Sequence, residues 1–144
     1  MAQFNPYLHF AGNTEEAFNF YKSAFGGEFT KFIRYKDLPQ SDEHKLPEEH
    51  LDKIMHVILP LGKDNILMGS DVIMKRDGEK FTFGDNFHLA ISAESKEEAD
   101  NLYNTLSMQG KIEMPIAESP WGSYFAMFRD KFGVQWTIDF DTNI

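Results

Sequence analysis

Cysteine is missing from all 144 residues. Its absence excludes disulfides, thiolate zinc sites and cysteine nucleophiles together. Long apolar runs are missing too: none approaches the ~20 residues that a membrane-spanning helix needs. The opening Met-Ala-Gln-Phe-Asn-Pro has neither the basic start nor the apolar stretch of a signal peptide, so a cytoplasmic protein is expected. Basic residues are few, 14 Lys and Arg against 23 Asp and Glu, which leaves a formal charge of −9 at pH 7. Such a surface repels phosphate and makes nucleic acid and anionic membranes poor partners. No Gly-x-Ser-x-Gly elbow, Walker-type loop or dinucleotide fingerprint occurs, so the commonest local enzyme signatures are absent.

What is present is apolar and flat. Hydrophobic residues make up 42% of the chain and include 14 Phe, enough for a packed core walled with aromatic rings. Two segments carry helical periodicity. Asn13 precedes Thr14-Glu15-Glu16, and Ala17, Phe18, Tyr21, Ala24 and Phe25 recur at helical spacing up to Gly26-Gly27. Asn13 is placed to cap the first turn, Glu16 to reach back to it, and glycine to end the helix. Ser95 likewise precedes Lys96-Glu97-Glu98, followed by Ala99, Leu102, Tyr103 and Leu106, with Gly110 as the stop. Asn13 and Ser95, Glu16 and Glu98, and Tyr21 and Tyr103 are each 82 positions apart, a shared offset that points to duplication.

The flanks repeat as well. A short extended run precedes each helix, at 6–10 and 87–92. Three strand-like runs follow it: 28–35, 54–61 and 65–71 in the first half, 111–117, 123–129 and 134–140 in the second. Gly62-Lys63-Asp64 and Lys131-Phe132-Gly133 make hairpin turns. The chain is therefore expected to be a single α+β domain of two tandem βαβββ modules, 1–76 and 84–144, joined by a polar linker at 77–83. The halves differ in one place. Residues Asp37 to Asp52 form an acidic insertion, long enough to serve as a lid or binding loop, or simply a mobile, solvated connection.

Three separated stretches narrow the reading: "PYLHFAGNTEEAFNFYKSAFGGE", "IMHVILPLGKDNILMGSD" and "PWGSYFAMFRDKFGVQWTIDF". With the duplicated unit, they resemble the vicinal oxygen chelate superfamily, which includes glyoxalase I, extradiol dioxygenases and bleomycin-resistance proteins. Within it they look like the PhnB-like branch, also labelled demethylubiquinone-methyltransferase-like. That label implies little chemistry, because no Gly-rich strand–loop–helix for a methyl-donor cofactor occurs. The resemblance implies two modules whose mixed sheets curl into a half-open cup with the helices outside, and commonly a homodimer. In metal-using members the first and last strands of each module supply ligands to a divalent ion that polarises vicinal substrate oxygens.

Carried over residue by residue, the ligand pattern mostly fails. The first-strand position of the second module falls on His88, which matches. Its counterpart 82 residues earlier is Pro6, which has no ligating side chain. The last-strand positions fall on Thr137 and near Met68. Pro, Met, His and Thr do not make a zinc, nickel or iron set, which calls for about three N, O or S ligands. No metal ligand and no cofactor is assigned. His56, in Ile54-Met55-His56-Val57-Ile58, reads either as a hydrogen-bonded strand histidine or as a pocket residue. With His88 inward, strand alternation sends His9 toward the helix as a packing residue. His44 and His50 lie among carboxylates in a run that reads as solvated. His88 reads as a structural strand histidine or as a base, since imidazole titrates near physiological pH. Glu113 and Glu118 show no evident partner.

Alternation with His88 inward also turns Gln135, Thr137 and Asp139 inward, and sends Trp136, Ile138 and Phe140 to the helix layer. Trp121, with Phe125 and Met127 or their neighbours Tyr124 and Phe128, adds apolar wall. The candidate pocket is thus His88, Trp121, Phe125, Gln135, Thr137, Asp139, Met68 and His56, apolar with a few polar groups, as small-molecule sites are. The alternative is that the aromatics simply fill the cup. The favoured reading is a metal-free protein that binds a partly apolar or aromatic small molecule. A lyase, isomerase or dioxygenase with a divalent metal at a relocated site around His88 is the alternative, with His56, Asp139 or the acidic insertion as further ligands. A ligand-free structural or interaction module is the third reading.

Overall fold

The structure, a computed structural model, describes residues 2–39, 46–73 and 81–141. His44 and residues 77–80 of the expected linker lie outside the described residues. The chain divides into two units, Met1–Phe81 and Thr82–Ile144, each with one four-stranded mixed sheet and one α-helix among the described residues. The α+β class and the two tandem βαβββ modules read from the sequence are both present.

In the first unit β1 (Tyr7–Phe10), α1 (Thr14–Phe25), β2 (Lys31–Arg34), β3 (Ile54–Leu61) and β4 (Asn65–Asp71) follow in chain order. The sheet order is β1-β4-β3-β2, with β1 parallel to β4 and the other pairs antiparallel. Side chains alternate across a strand, so each strand offers one face to the helix and one away from it. Leu8, Phe10, Val57, Leu59 and Leu67 supply the helix side and are buried with Ala17, Phe18 and Tyr21 of α1. Phe18 meets both Phe10 and Tyr21 edge-on. Gly69 lies directly under this cluster, where an added Cβ would come within 2.5 Å of the Phe18 ring. β2 is shorter than the 28–35 run, because Tyr35–Asp37 turns into a 3-10 helix and Asp37 accepts from the Arg34 backbone N–H.

The start of α1 differs from the sequence expectation. Asn13 makes no side-chain capping bond. The buried Asp71 at the end of β4 takes that role: its Oδ1 accepts from the N–H of Gly12, the N–H of Thr14 and the Thr14 hydroxyl. A buried carboxylate with several donors satisfies orphan amides that an exposed Asn would reach only by giving up solvent.

The second unit repeats the plan with β5 (Leu89–Ser92), α2 (Lys96–Leu106), β6 (Lys111–Glu118), β7 (Ser123–Arg129) and β8 (Gln135–Asp141), in sheet order β5-β8-β7-β6. Here the cap is the expected one: Ser95 accepts from the Glu98 N–H, while Glu98 accepts from the Glu94 N–H. Ala99, Leu102 and Leu106 are buried with Ala126, Phe128, Trp136 and Ile138. Buried Asp130 closes the β7–β8 turn, accepting from the Phe132 and Val134 amides and from the Trp136 indole N–H.

Candidate ligand-binding faces

The face of the second sheet turned away from α2 is built on Gln135. Its Nε2 donates to the Phe87 carbonyl at 2.7 Å, and its Oε1 accepts from Arg129 at 2.9 Å. Arg129 also donates to the Gly84 and Gly133 carbonyls and pairs with Asp85. These bonds tie the segment entering β5 onto β7 and β8 and so fix His88. Both ends of the Gln135 amide are engaged in that clamp, so this residue positions the site from within.

His88 Nε2 lies 3.4 Å from Glu113 Oε2 on β6, close but without hydrogen-bond alignment. The nitrogen itself is buried and has no hydrogen-bond partner among the described residues. An unprotonated Nε2 facing a carboxylate sets two acceptors against each other. The tautomer that carries its proton on Nε2 resolves the conflict by turning a donor toward Glu113. Glu113 thus faces an imidazole that the sequence left unnamed, and Glu118 pairs with Lys96 at 2.7 Å.

Strand register completes the face. Ala90 and Met127 flank Thr137, while Ser92 and Phe125 flank Asp139. The Ser92 hydroxyl donates to Asp139 at 3.2 Å. Phe125 and Met127 therefore belong to the open face. Tyr124 and Phe128 take the helix side, Tyr124 by donating to Asp100 of α2 and Phe128 by full burial against Tyr103. The bond to Asp100, more than burial, holds the Tyr124 phenol above its ordinary range. Trp121 is 61% exposed and meets Phe125 edge-on at 5.3 Å, leaving indole surface in solvent.

Met68 and His56 lie on the corresponding open face of the first sheet. One row runs Tyr7–Met68–Ile58–Lys31, and the neighbouring strand positions are His9–Ser70 and His56–Ile33. The Tyr7 hydroxyl and His56 Nδ1 are 3.1 Å apart with their rings stacked, and His9 Nδ1 is 3.2 Å from the Ser70 hydroxyl. Burial, and secondarily the Lys31 charge, holds the His56 imidazole below its ordinary value. His9 is exposed, whereas Leu8 and Phe10 are buried, so the expectation that His9 packs toward the helix is overturned.

The reason is a one-residue slip between the repeats. The helix starts Thr14 and Lys96 are 82 positions apart, but the helix-facing pairs Leu8/Leu89 and Phe10/Ile91 are 81 apart. The connection into α2 is one residue longer, and a slip of one exchanges the two faces of a strand. Tyr7, not Pro6, is the counterpart of His88.

Six of the eight expected pocket residues, His88, Trp121, Phe125, Gln135, Thr137 and Asp139, thus belong to the second unit, and His56 and Met68 to the first. Sequence reasoning missed Glu113, Tyr7, Ser70 and Lys31. The polar alternation of Tyr7 and His9 around buried Leu8 was the available signal. Among the described residues, no group of three or more His, Cys, Asp or Glu is arranged to hold a metal ion. No helix among them is long and apolar enough to cross a membrane.

Two tandem βαβββ units with these open faces define a chain of the glyoxalase type. The sequence profile of the Glyoxalase/Bleomycin resistance protein/Dioxygenase superfamily matches residues 3–138, and the chain belongs to that superfamily. It is similar to the protein YjdN of Escherichia coli (strain K12), 30% identical over 138 residues that cover 94% of this chain and 92% of YjdN. Among solved structures, protein PA1353 from Pseudomonas aeruginosa is 33% identical over 98% of both chains, with a TM-score of 0.82. The PhnB protein from Bacillus cereus is 28% identical over 96% of this chain and 99% of its own, with a TM-score of 0.77.

Proposed function

We propose that the chain binds a small, partly apolar or aromatic molecule on the open face of its second sheet, without a metal ion. The observation that carries this reading is the pairing of unsatisfied polarity with exposed aromatic surface. The buried Nε2 of His88, which faces Glu113 at 3.4 Å without a hydrogen bond, belongs to the same unit as Phe125, against which the exposed Trp121 stands. Such a face offers rings for stacking and a few polar groups for orientation. Thr137 and Asp139 add one hydroxyl and one carboxylate beside the apolar wall.

The family's metal does not fit the residues at its expected positions. Beside His88, those positions offer a phenol at Tyr7, a thioether at Met68 and a hydroxyl at Thr137, a poor donor set for zinc, nickel or iron. A second reading, a lyase or isomerase, is favoured by one observation: His88 and Glu113 make an imidazole–carboxylate pair able to pass a proton. The chain is further proposed to work as a cytoplasmic homodimer, as its family implies; light scattering reads that state directly.

A thermal-shift screen against aromatic and amphiphilic compounds tests the main reading. Stabilising hits that survive chelator and disappear in Trp121→Ala support it. Hits that require added metal overturn it.

A further inference from the structure

We infer that Asp139 is the specificity-determining residue of the second-sheet face and selects a ligand whose aromatic body carries a positive charge, an ammonium or amidinium group. The inference rests on the reading of that face as a binding site and adds the charge of the molecule it takes. Strand register supplies the geometry. One row across the face holds Gln135, Arg129 and Lys111; two rows further along lie Ser92, Asp139 and Phe125. Asp139 thus stands directly beside Phe125, which carries the exposed Trp121 indole edge-on at 5.3 Å. A carboxylate and two aromatic rings share one end of the face.

The charges nearby leave that carboxylate uncompensated. Arg129 is engaged by Asp85, Gln135 and two backbone carbonyls, and its row lies about 13 Å along β8 from Asp139, beyond the ~8 Å screening length of physiological salt. Lys96, on the helix side with Tyr124, is paired with Glu118. Among the described residues no Lys or Arg pairs with Asp139; its side chain accepts only the 3.2 Å contact from the Ser92 hydroxyl, long for an O–H donor. Asp141, opposite Ser123, adds a further carboxylate to the same end. A half-buried carboxylate with one weak donor keeps most of its acceptor sites open. A neutral molecule seated over it removes water without supplying a counterion, and an anion adds repulsion. A cation supplies the counterion, and the same cation gains from the negative faces of Phe125 and Trp121 when held within ~6 Å of them.

The test is a titration of the full chain followed by ¹H–¹⁵N spectra, with benzylammonium as the cation, benzyl alcohol as its neutral isostere and benzoate as the anion. Benzylammonium is expected to shift the Trp121 indole N–H and the amides of Phe125 and Asp139. It should bind at least about tenfold more tightly than benzyl alcohol, since a charge-assisted contact separates the two, and benzoate should bind most weakly. Asp139→Asn keeps the side-chain shape and an acceptor for Ser92. It should bring benzylammonium down to the affinity of benzyl alcohol and leave benzyl alcohol unchanged, a split that a merely structural role would not produce. Should that variant fail to fold, the wild-type comparison of cation with alcohol decides alone. Equal binding of cation and alcohol, tighter binding of benzoate, or undiminished cation affinity in folded Asp139→Asn overturns the inference. In each of those cases, benzyl alcohol shifts at Trp121 and Phe125 leave the second-sheet reading in place. Shifts there from none of the three probes overturn the inference and that reading together.

Discussion

Asp71 holds Thr14 by two bonds at once, its Oδ1 accepting from the Thr14 amide at 3.0 Å and from the Thr14 hydroxyl at 2.7 Å. Oδ2 of the same carboxylate accepts from the Ile54 amide, so one side chain at the end of β4 joins the start of α1 to the start of β3. Both residues are buried, and water cannot replace what the carboxylate supplies. Asp71→Ala is expected to destabilise the protein by about 2–4 kcal/mol, read from urea unfolding by circular dichroism. Asp71→Asn, which keeps one acceptor oxygen, should lose less. Wild-type stability in Asp71→Ala would contradict this role.

The ion pair between Arg34 and Glu15 makes a pH-dependent prediction. Arg34 reaches Glu15 with two nitrogens, at 2.9 and 2.8 Å, and this bond holds the Glu15 carboxyl below its ordinary 4.5. A depressed carboxyl pKa contributes stability above that ordinary value and loses it as pH falls through the lower folded value. The pair is partly exposed, so Glu15→Gln should cost under about 1 kcal/mol at pH 7. The gap between variant and wild type should close as the pH is taken down below 4.5. A gap that persists undiminished in acid would count against the pairing.

His56 should titrate below its ordinary 6.5, with burial the larger cause and Lys31 the smaller. The folded state then favours the neutral ring, so its contribution to stability is complete above 6.5 and declines as pH falls toward the folded value. Histidine NMR resonances give the midpoint directly. Lys31→Gln should move it upward without restoring it fully, because burial remains. A midpoint at or above 6.5, or full restoration by the variant, would contradict the assignment.

The fold was legible because duplication doubles every signal. Helix periodicity and helix starts at one offset located both modules, and β3, β4 and β7 have the bounds that the hydrophobic runs indicate. The site was legible only in part. The second-sheet face came from one parity choice, His88 inward, which carries Thr137 and Asp139 with it. On the first-sheet face, His56 and Met68 were named, but Tyr7 and His9 were lost to the slip between offsets of 82 and 81, since residue spacing along a helix says nothing about the length of the connection leading into it. Glu113 was unreadable for another reason: β6 departs from regular register around Met114, so alternation does not say where its side chains point. Asp71 was hidden because a cap supplied from a distant strand leaves no local sequence mark.

The central claim is that ligand binding on the second sheet needs Trp121 and His88 but no metal. Its most direct measurement is a calorimetric titration of the strongest thermal-shift ligand into protein stripped with EDTA, beside elemental analysis of the same sample. The account predicts unchanged affinity in the metal-free protein and at least about a tenfold loss in Trp121→Ala, where an aromatic contact worth ~1.4 kcal/mol or more is removed. Stoichiometric metal that His88→Ala releases, together with binding that returns only when the ion is restored, would contradict it.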